Sequence, residues 1–414
     1  MSRDFPRLLV ATEFPPNASG GGPAIVRQML EDWPIENLFW WSVLPDRDQR
    51  FNQKVAAHRV ARIPPPLYPN RRWTRTKSKL LENVWAPLAA RHFQKTLDLF
   101  QPDVAWVIPH IWSIPPLASV LPGSNIGFHT TMQDYVDSNR NIARFGAKRS
   151  GHLASLADEL YLKATTRDAT SHPMIADLRL RKGKEAAQML HAGLDEADFD
   201  LLAAKSGNRT GEIRIAHAGT IVEESDFQLF VAALARARSQ LPAPVTLQFF
   251  GSHSYRSRAW FDRSWMQEYG DLRAMELSER LRECAWGLAT MALSDHDPRY
   301  NRFSFPTKFI SYLAAGLPVI TLGHPASSLA LMTGNYRVGL CLTSGEPAAL
   351  ESHLLAGLSI RDPWEQFGPE IQRCARTEFE LERMREALHE CFAVCRQRSL
   401  GANPAVADKN NRRH

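Results

Sequence analysis

Short, nearly uninterrupted apolar runs alternate along this chain with longer stretches whose apolar residues recur every three or four positions. That alternation predicts strands buried on both faces and joined by crossover helices, hence an α/β protein with parallel sheets. In the first half, residues 7–12, 38–44, 104–108 and 125–131 read as strands, the last ending in the polar tip His129-Thr130-Thr131. Residues 14–23 read as a loop holding Gly20, Gly21 and Gly22, followed by a helix over 24–33. A strand, a glycine-rich loop and a helix open a Rossmann-like half, with amides free to approach an anion. The spacing is not Gly-x-Gly-x-x-Gly, which argues against a nicotinamide cofactor.

A second Rossmann-like half opens with a strand over 213–220, continues through a helix over 226–239, and reaches a strand over 245–250 that ends at Gly251. Further strands are predicted over 285–291 and 318–322, and amphipathic helices over 345–358 and within 364–395. The mixed polar stretch 196–212 is the linker candidate. The expected organisation is an N-terminal, acceptor-side domain over 1–200 and a C-terminal, nucleotide-sugar domain over 201–372. A helix over 373–400 packs back on the first domain, and 401–414, enriched in Asp, Asn, Arg and Lys, reads as a disordered tail.

Composition narrows this picture. With 414 residues and 44% hydrophobic content, the chain has enough apolar material for two packed cores. Pro109, Pro115 and Pro116 interrupt the longest apolar stretch, and the opening residues lack a signal peptide's apolar core, so the expected location is the cytoplasm. Five cysteines without a Cys-x-x-Cys spacing suggest reduced thiols, with Cys391 and Cys395 as small buried residues on one helix face. A net charge of +6 suits phosphorylated ligands, anionic membranes or nucleic acid. Nucleic acid is set aside as a partner because no recognised helix or zinc module is present.

The densest signal is the stretch 303–320. Pro306 and Thr307 read as a helix start, with Thr307 able to cap free N–H groups. Phe309, Tyr312, Leu313 and Ala315 recur at helical spacing, and Gly316 suits the position just past the helix end. Lys308 places a full charge in the first turn, where it opposes the helix dipole by roughly 0.3–1 kcal/mol. A cation there makes sense if an anion such as a phosphate sits opposite it; the other reading is an ordinary helix–strand unit with a solvated lysine.

Pro306-Thr307-Lys308, Tyr312-Leu313-Ala314-Ala315-Gly316 and Pro318-Val319-Ile320 together resemble the donor-binding motif of glycosyltransferase family 4. The opening strand, Phe14-Pro15-Pro16 and Gly20-Gly21-Gly22 are similar to the start of that family's enzymes, and His191-Ala192-Gly193-Leu194-Asp195 to the turn that closes their first domain. The resemblance covers most of the chain and is weakest over 51–104. It implies the GT-B fold, two Rossmann-like domains facing across a cleft. It also implies transfer of a sugar from a nucleotide-diphosphate donor to a glycan or lipid-linked acceptor in cell-surface polysaccharide assembly, with retention. No metal or other cofactor is implied, since amides and a lysine can carry the leaving diphosphate's charge.

By this resemblance the glycine loop at Gly20, Gly21 and Gly22 borders donor and acceptor, and Gly219, Thr220 and Gly251 line the donor. Ser304, Phe305, Pro306, Thr307 and Ser311 complete the donor set, with His129 either contacting the donor sugar or standing as a satisfied histidine at a strand end. Asp134 orients or deprotonates an acceptor hydroxyl, or else caps a helix. The family's paired positive charges are absent, as Thr220 and Ser225 stand in their places. Lys308 becomes the principal phosphate cation, with Arg214 and His217 as lesser candidates. Phe303 and Ser311 replace the family's two glutamates, which leaves open a degenerate protein that binds nucleotide or glycan without turnover. Finally, Arg71, Arg72, Trp73, Arg75, Lys77 and Lys79 form a basic and aromatic patch. It reads either as a solvated helix entrance or as a contact for anionic lipid headgroups or a lipid-diphosphate acceptor, peripheral to the membrane's inner face.

Overall fold

A computed structural model of the chain describes residues 4–45, 51, 53–68, 73–205 and 211–402. Arg71, Arg72 and nearly all of the predicted tail lie outside the described residues. The chain divides into two compact units, Met1–His191 with Glu382–His414, and Ala192–Leu381.

Unit 1 is built on six strands, β1 (Leu8–Thr12), β2 (Leu38–Ser42), β3 (Ala57–Val60), β4 (Val104–Val107), β5 (Phe128–Met132) and β6 (Thr166–Ala169). They pair in the order β3-β2-β1-β4-β5-β6, and every pairing is parallel. The chain winds outward from β1 to β3, then restarts beside β1 at β4. The carboxyl ends of β1 and β4 therefore flank a topological switch point, where open α/β sheets hold their ligands. On the strands themselves Trp40, Trp41 and Trp106 are buried, and each of these indole N–H groups finds an acceptor: Trp40 on Thr12 at 3.0 Å, Trp41 on His92 at 3.1 Å, Trp106 on Thr131 at 2.7 Å.

The helix Leu381–Ala402 closes this unit. Gly127 lets it approach, since a Cβ there would stand 2.0 Å from the Cys395 carbonyl oxygen. Ser399 accepts from the Gly127 N–H at 2.7 Å and donates to the Asp103 carbonyl at 2.8 Å. Arg385, almost fully buried, pairs with Glu31 at 2.8 Å and Asp32 at 3.1 Å.

Unit 2 repeats the winding with β7 (Ile213–Ala218), β8 (Val245–Phe250), β9 (Met266–Gly270), β10 (Trp286–Thr290), β11 (Val319–Leu322) and β12 (Gly339–Leu342). The order is β12-β11-β10-β7-β8-β9, again all parallel. Its switch point lies between β7 and β10.

Two readings of the sequence change here. The first helix spans Gly21–Met29, so Gly21 and Gly22 belong to its first turn instead of a loop. The stretch read as a linker contains a helix, Glu196–Ala203, begun by a capping box in which Asp195 and Asp198 each accept the other's N–H.

Candidate functional site

The unit 2 switch point is assembled by the helix Lys308–Ala314. Its inner face buries Phe309, Ile310, Tyr312 and Leu313. The Tyr312 hydroxyl accepts from the Ala218 N–H at 2.8 Å and donates to the Leu288 carbonyl at 3.0 Å, tying the end of β7 to β10. Gly287 makes room for that ring, since a Cβ would meet it at 2.3 Å. The helix stops as expected at Gly316, with φ of 65° and the Leu317 N–H returning to the Tyr312 carbonyl at 2.8 Å. Its start differs from expectation. Thr307 holds the N-cap position in helical geometry and its hydroxyl caps nothing, so the predicted cap is not made.

Lys308 reaches across to the turn after β7, where its Nζ donates to the Thr220 carbonyl at 3.0 Å. The aliphatic stem passes Gly219, whose added Cβ would lie 4.0 Å from Cε. Gly219 and Gly251 both hold positive φ, at 80° and 140°, and stand back to back; a Cβ on Gly251 would be 3.3 Å from the Gly219 Cα. Among the described residues no carboxylate forms an ion pair with Lys308. Burial pushes its ammonium down to about 7. Thr220 is exposed, and its hydroxyl lies 3.3 Å from His253 Nδ1.

The remaining donor candidates divide. Pro306, Thr307 and Ser311 are half-buried beside Lys308 in sequence. Ser304 is buried and its carbonyl accepts from the Ser328 hydroxyl. Phe305 packs on Phe309 and Phe379, with centroids 5.3 and 5.9 Å apart, so it supports the segment from within the core. The two lesser cations are corrected. Arg214 is paired with Glu212 at 2.9 Å. His217 is fully buried against Phe227 and Phe249; burial, and secondarily the charge of Lys308, hold it well below its ordinary range, so it is neutral. One Asp-x-Asp triplet of the sequence, Asp295-His296-Asp297, is likewise engaged, Asp295 with Arg302 and Asp297 as a helix cap. Among the described residues no group of three or more His, Cys, Asp or Glu could hold a metal ion.

In unit 1, His129 is the principal correction. It is the second residue of β5, fully buried, with Nδ1 2.9 Å from the Thr166 hydroxyl and Nε2 3.0 Å from Asp168. Phe392 of the closing helix packs edge-on against it at 5.7 Å. It belongs to the core and presents nothing to a ligand. The tip of β5 is instead Gln133-Asp134. Gln133 donates to the Gly22 carbonyl at 3.4 Å, and its side-chain oxygen occupies the space a Cβ on Gly22 would need. Gly20, with φ of 113°, starts that helix. Asp134 is half-buried and holds no N-cap position; the next helix, Asn139–Phe145, follows Ser138, whose side chain makes no cap.

Two residues that sequence reasoning missed meet at this switch point. Glu13, just past β1, accepts from the Trp112 N–H at 2.8 Å and stands 3.1 Å from Nδ1 of His110, which lies beyond β4. Burial works to lower the His110 pKa, but the charge and hydrogen bond of Glu13 outweigh it; Asp134 adds to the rise and Arg144 opposes it, for a net increase. No motif joins Glu13 to His110; only the pairing of β1 with β4 brings them together. A cavity of about 580 Å³ bordered by Asp103, Asn125, Arg396 and Ser399 lies at the other end of the sheet, before β4 and β5, away from this chemistry.

The basic patch is partly described. Trp73 is 73% exposed, Arg75 and Lys79 are exposed, and Lys77 is half-buried. Continuing from them, Leu80, Val84 and Leu88 are exposed by 44, 54 and 56% along one helical rod that runs from Thr74 through a π-helical segment to Phe100. Among the described residues no helix is long and apolar enough to cross a membrane.

No protein-family model matches the chain, and no curated protein matches it. Solved structures do. A sucrose-phosphate synthase from Thermosynechococcus elongatus is similar with a TM-score of 0.66 and 16% identity, over 93% of this chain and 98% of the other. A UDP-forming α,α-trehalose-phosphate synthase from Burkholderia xenovorans in complex with glucose-6-phosphate gives 0.61 and 12%, over 94% and 100%. An E. coli structure described as trehalose-6-phosphate bound with UDP-2-fluoro glucose gives 0.59 and 12%, over 93% and 98%. At such identities the likeness establishes the fold, and the fold is GT-B.

Proposed function

We propose that the chain is a glycosyltransferase that takes a sugar from a nucleotide-diphosphate donor held by unit 2 and passes it to an acceptor hydroxyl. The observation that carries this is Lys308: a half-buried cation without a carboxylate partner, laid along two positive-φ glycine turns at a topological switch point. A departing diphosphate needs its charge stabilised in the transition state, and a lysine held at that turn supplies it without a metal. Two of the similar structures are named as UDP-forming or UDP-sugar-bound, which supports UDP as the nucleotide. The finer reading rests on the motif at 306–320. It takes the chain as a family 4 relative that transfers with retention to a glycan or lipid-linked glycan in cell-surface polysaccharide assembly.

Thermal-shift screening against UDP, GDP, ADP and CMP tests the nucleotide site. A ligand at a hundred times its dissociation constant stabilises by about 2.7 kcal/mol. No shift with any of the four overturns the reading. A shift without hydrolysis or transfer of the matching nucleotide sugar instead supports a degenerate binding protein.

The membrane reading of the patch gains support from the exposed row Leu80, Val84 and Leu88 next to Trp73, Arg75 and Lys79. An apolar stripe bordered by cations suits the interface of an anionic bilayer. A triple variant neutralising Arg75, Lys77 and Lys79 is expected to cost about 3 kcal/mol of vesicle affinity, at about 1 per residue. Equal sedimentation of parent and variant with phosphatidylserine vesicles would return the patch to a solvated helix entrance.

A further inference from the structure

We propose that Tyr255, in the segment between β8 and β9, is a positioning residue for Lys308, acting through the peptide group that joins Thr220 to Ile221. The ligand served by this, a nucleoside diphosphate, rests on the reading above; the positioning itself rests on geometry.

One peptide group is gripped at both edges. Its carbonyl, from Thr220, accepts from Lys308 Nζ at 3.0 Å, and its N–H, from Ile221, donates to the Tyr255 hydroxyl at 3.0 Å. The carbonyl and N–H of a planar trans peptide point in opposite directions, so the two side chains reach it from opposite sides. Either bond alone leaves the plane free to turn about the flanking φ and ψ; together they fix it. Upstream in the same turn, the Ala218 N–H is taken up by the Tyr312 hydroxyl and the Gly219 N–H by the Phe250 carbonyl at 2.7 Å. Thr220 is exposed between these ties, and its N–H meets no acceptor among the described residues. Beyond that open amide, the hydroxyl of Tyr255 is what holds the turn. Tyr255 is firmly seated for this task. It is 7% exposed, its ring lies on Phe249 and Trp260 with centroids 5.5 and 5.7 Å away, and its own N–H donates to the Glu268 carboxylate. Trp260 is held in turn by Glu224, to which its indole donates at 2.9 Å. A rigid hydroxyl at this point fixes the carbonyl that Lys308 takes, and with it the place of a flexible side chain's ammonium before any ligand arrives.

The variant is Tyr255→Phe, which keeps the ring in its slot and removes only the hydroxyl. Full-chain protein with 13C-labelled lysine reports Lys308 Cε, the signal being identified from its loss in Lys308→Arg. With no ligand present, that signal is expected to move in Tyr255→Phe toward the position shared by solvent-exposed lysines. A hydroxyl that served stability alone would lower the urea midpoint on removal and leave the Lys308 signal in place. UDP affinity, measured by calorimetric titration, should fall about fivefold in Tyr255→Phe, while uridine binding should not change. In a double-mutant cycle this loss should largely disappear once Lys308→Ala is present, because Tyr255 acts through that lysine. A Lys308 signal that Tyr255→Phe leaves unmoved overturns the proposal, and so do losses of UDP affinity that add in full. If UDP binds neither parent nor variant while the Lys308 signal still moves, the nucleotide reading fails and the positioning role stands.

Discussion

The two sheets share one winding order, yet their switch points carry opposite chemistry. The first residue beyond β7 is Gly219, and the turn there is answered by a lysine that pairs with no acid among the described residues. The first residue beyond β1 is Glu13, answered by a histidine with Asp134 nearby. Topology thus decides where a ligand sits in each unit, since strand order alone opens the crevice. What the crevice accepts is decided by one or two residues past each strand end. On the proposed reading, a glycine there gives a ligand access to the backbone and leaves charge selection to Lys308. A glutamate there fixes a neighbouring imidazole and repels anions.

The sharpest way to break this contrast is Lys308→Ala. A charge-assisted hydrogen bond contributes roughly 1.5–3 kcal/mol, so UDP affinity should fall by roughly 10- to 150-fold. Uridine, lacking phosphates, should bind the variant and the parent alike, and Lys308→Arg should recover only part of the loss. His110→Gln should leave UDP affinity unchanged. Calorimetric titrations of UDP into the variants decide it; if Lys308→Ala binds UDP as the parent does, unit 2 has no lysine-based anion site and the contrast collapses.

Tyr312→Phe probes the scaffold under the lysine. Removing the hydroxyl strands the buried Ala218 N–H and Leu288 carbonyl, at a cost of about 1–3 kcal/mol in urea unfolding. Because the same hydroxyl fixes the end of β7, UDP affinity should fall as well. An unchanged urea midpoint would show that this tie does not hold the turn.

The sequence makes the interior of both sheets legible and hides their borders. All eight interior strands follow from apolar runs. The four that do not, β3, β6, β9 and β12, are the four edges. Thr166-Arg167-Asp168-Ala169 and Met266-Gln267-Glu268-Tyr269-Gly270 show why: an edge strand is half solvated, so polar residues stand in it and the signal is lost. Around the sites, Gly219, Gly251, Gly316 and Lys308 could be read because turn glycines and a charged first turn leave local marks. His129 was misread because the predicted strand over 125–131 sits a residue or more early, turning a core residue into a tip. Glu13 and His110 left no mark at all, since their contact depends on a strand pairing between distant segments.

The mildest prediction concerns the pH dependence of the unit 2 site. Free Lys308 is held near 7 against an ordinary value of 10.5, because burial removes water from the ammonium and no carboxylate returns the lost stabilisation. A diphosphate beside it favours the charged form and raises that value. At pH 8 the free lysine is therefore mostly neutral and the bound one charged, so binding takes up close to one proton. At pH 6 the lysine is already protonated and contributes no uptake. Affinity for UDP should accordingly fall about fivefold between pH 7 and 8, as the protonated fraction of the free lysine drops from about one half to about one tenth. Heats of UDP binding measured at pH 8 in HEPES and in Tris, which ionise with different enthalpies, report the proton count directly. Lys308→Arg stays charged throughout this range, so its binding should show no uptake from this residue and no decline. A proton count of zero for the parent at pH 8 would mean that the diphosphate does not touch Lys308. The half-buried lysine would then serve only to brace the Thr220 turn.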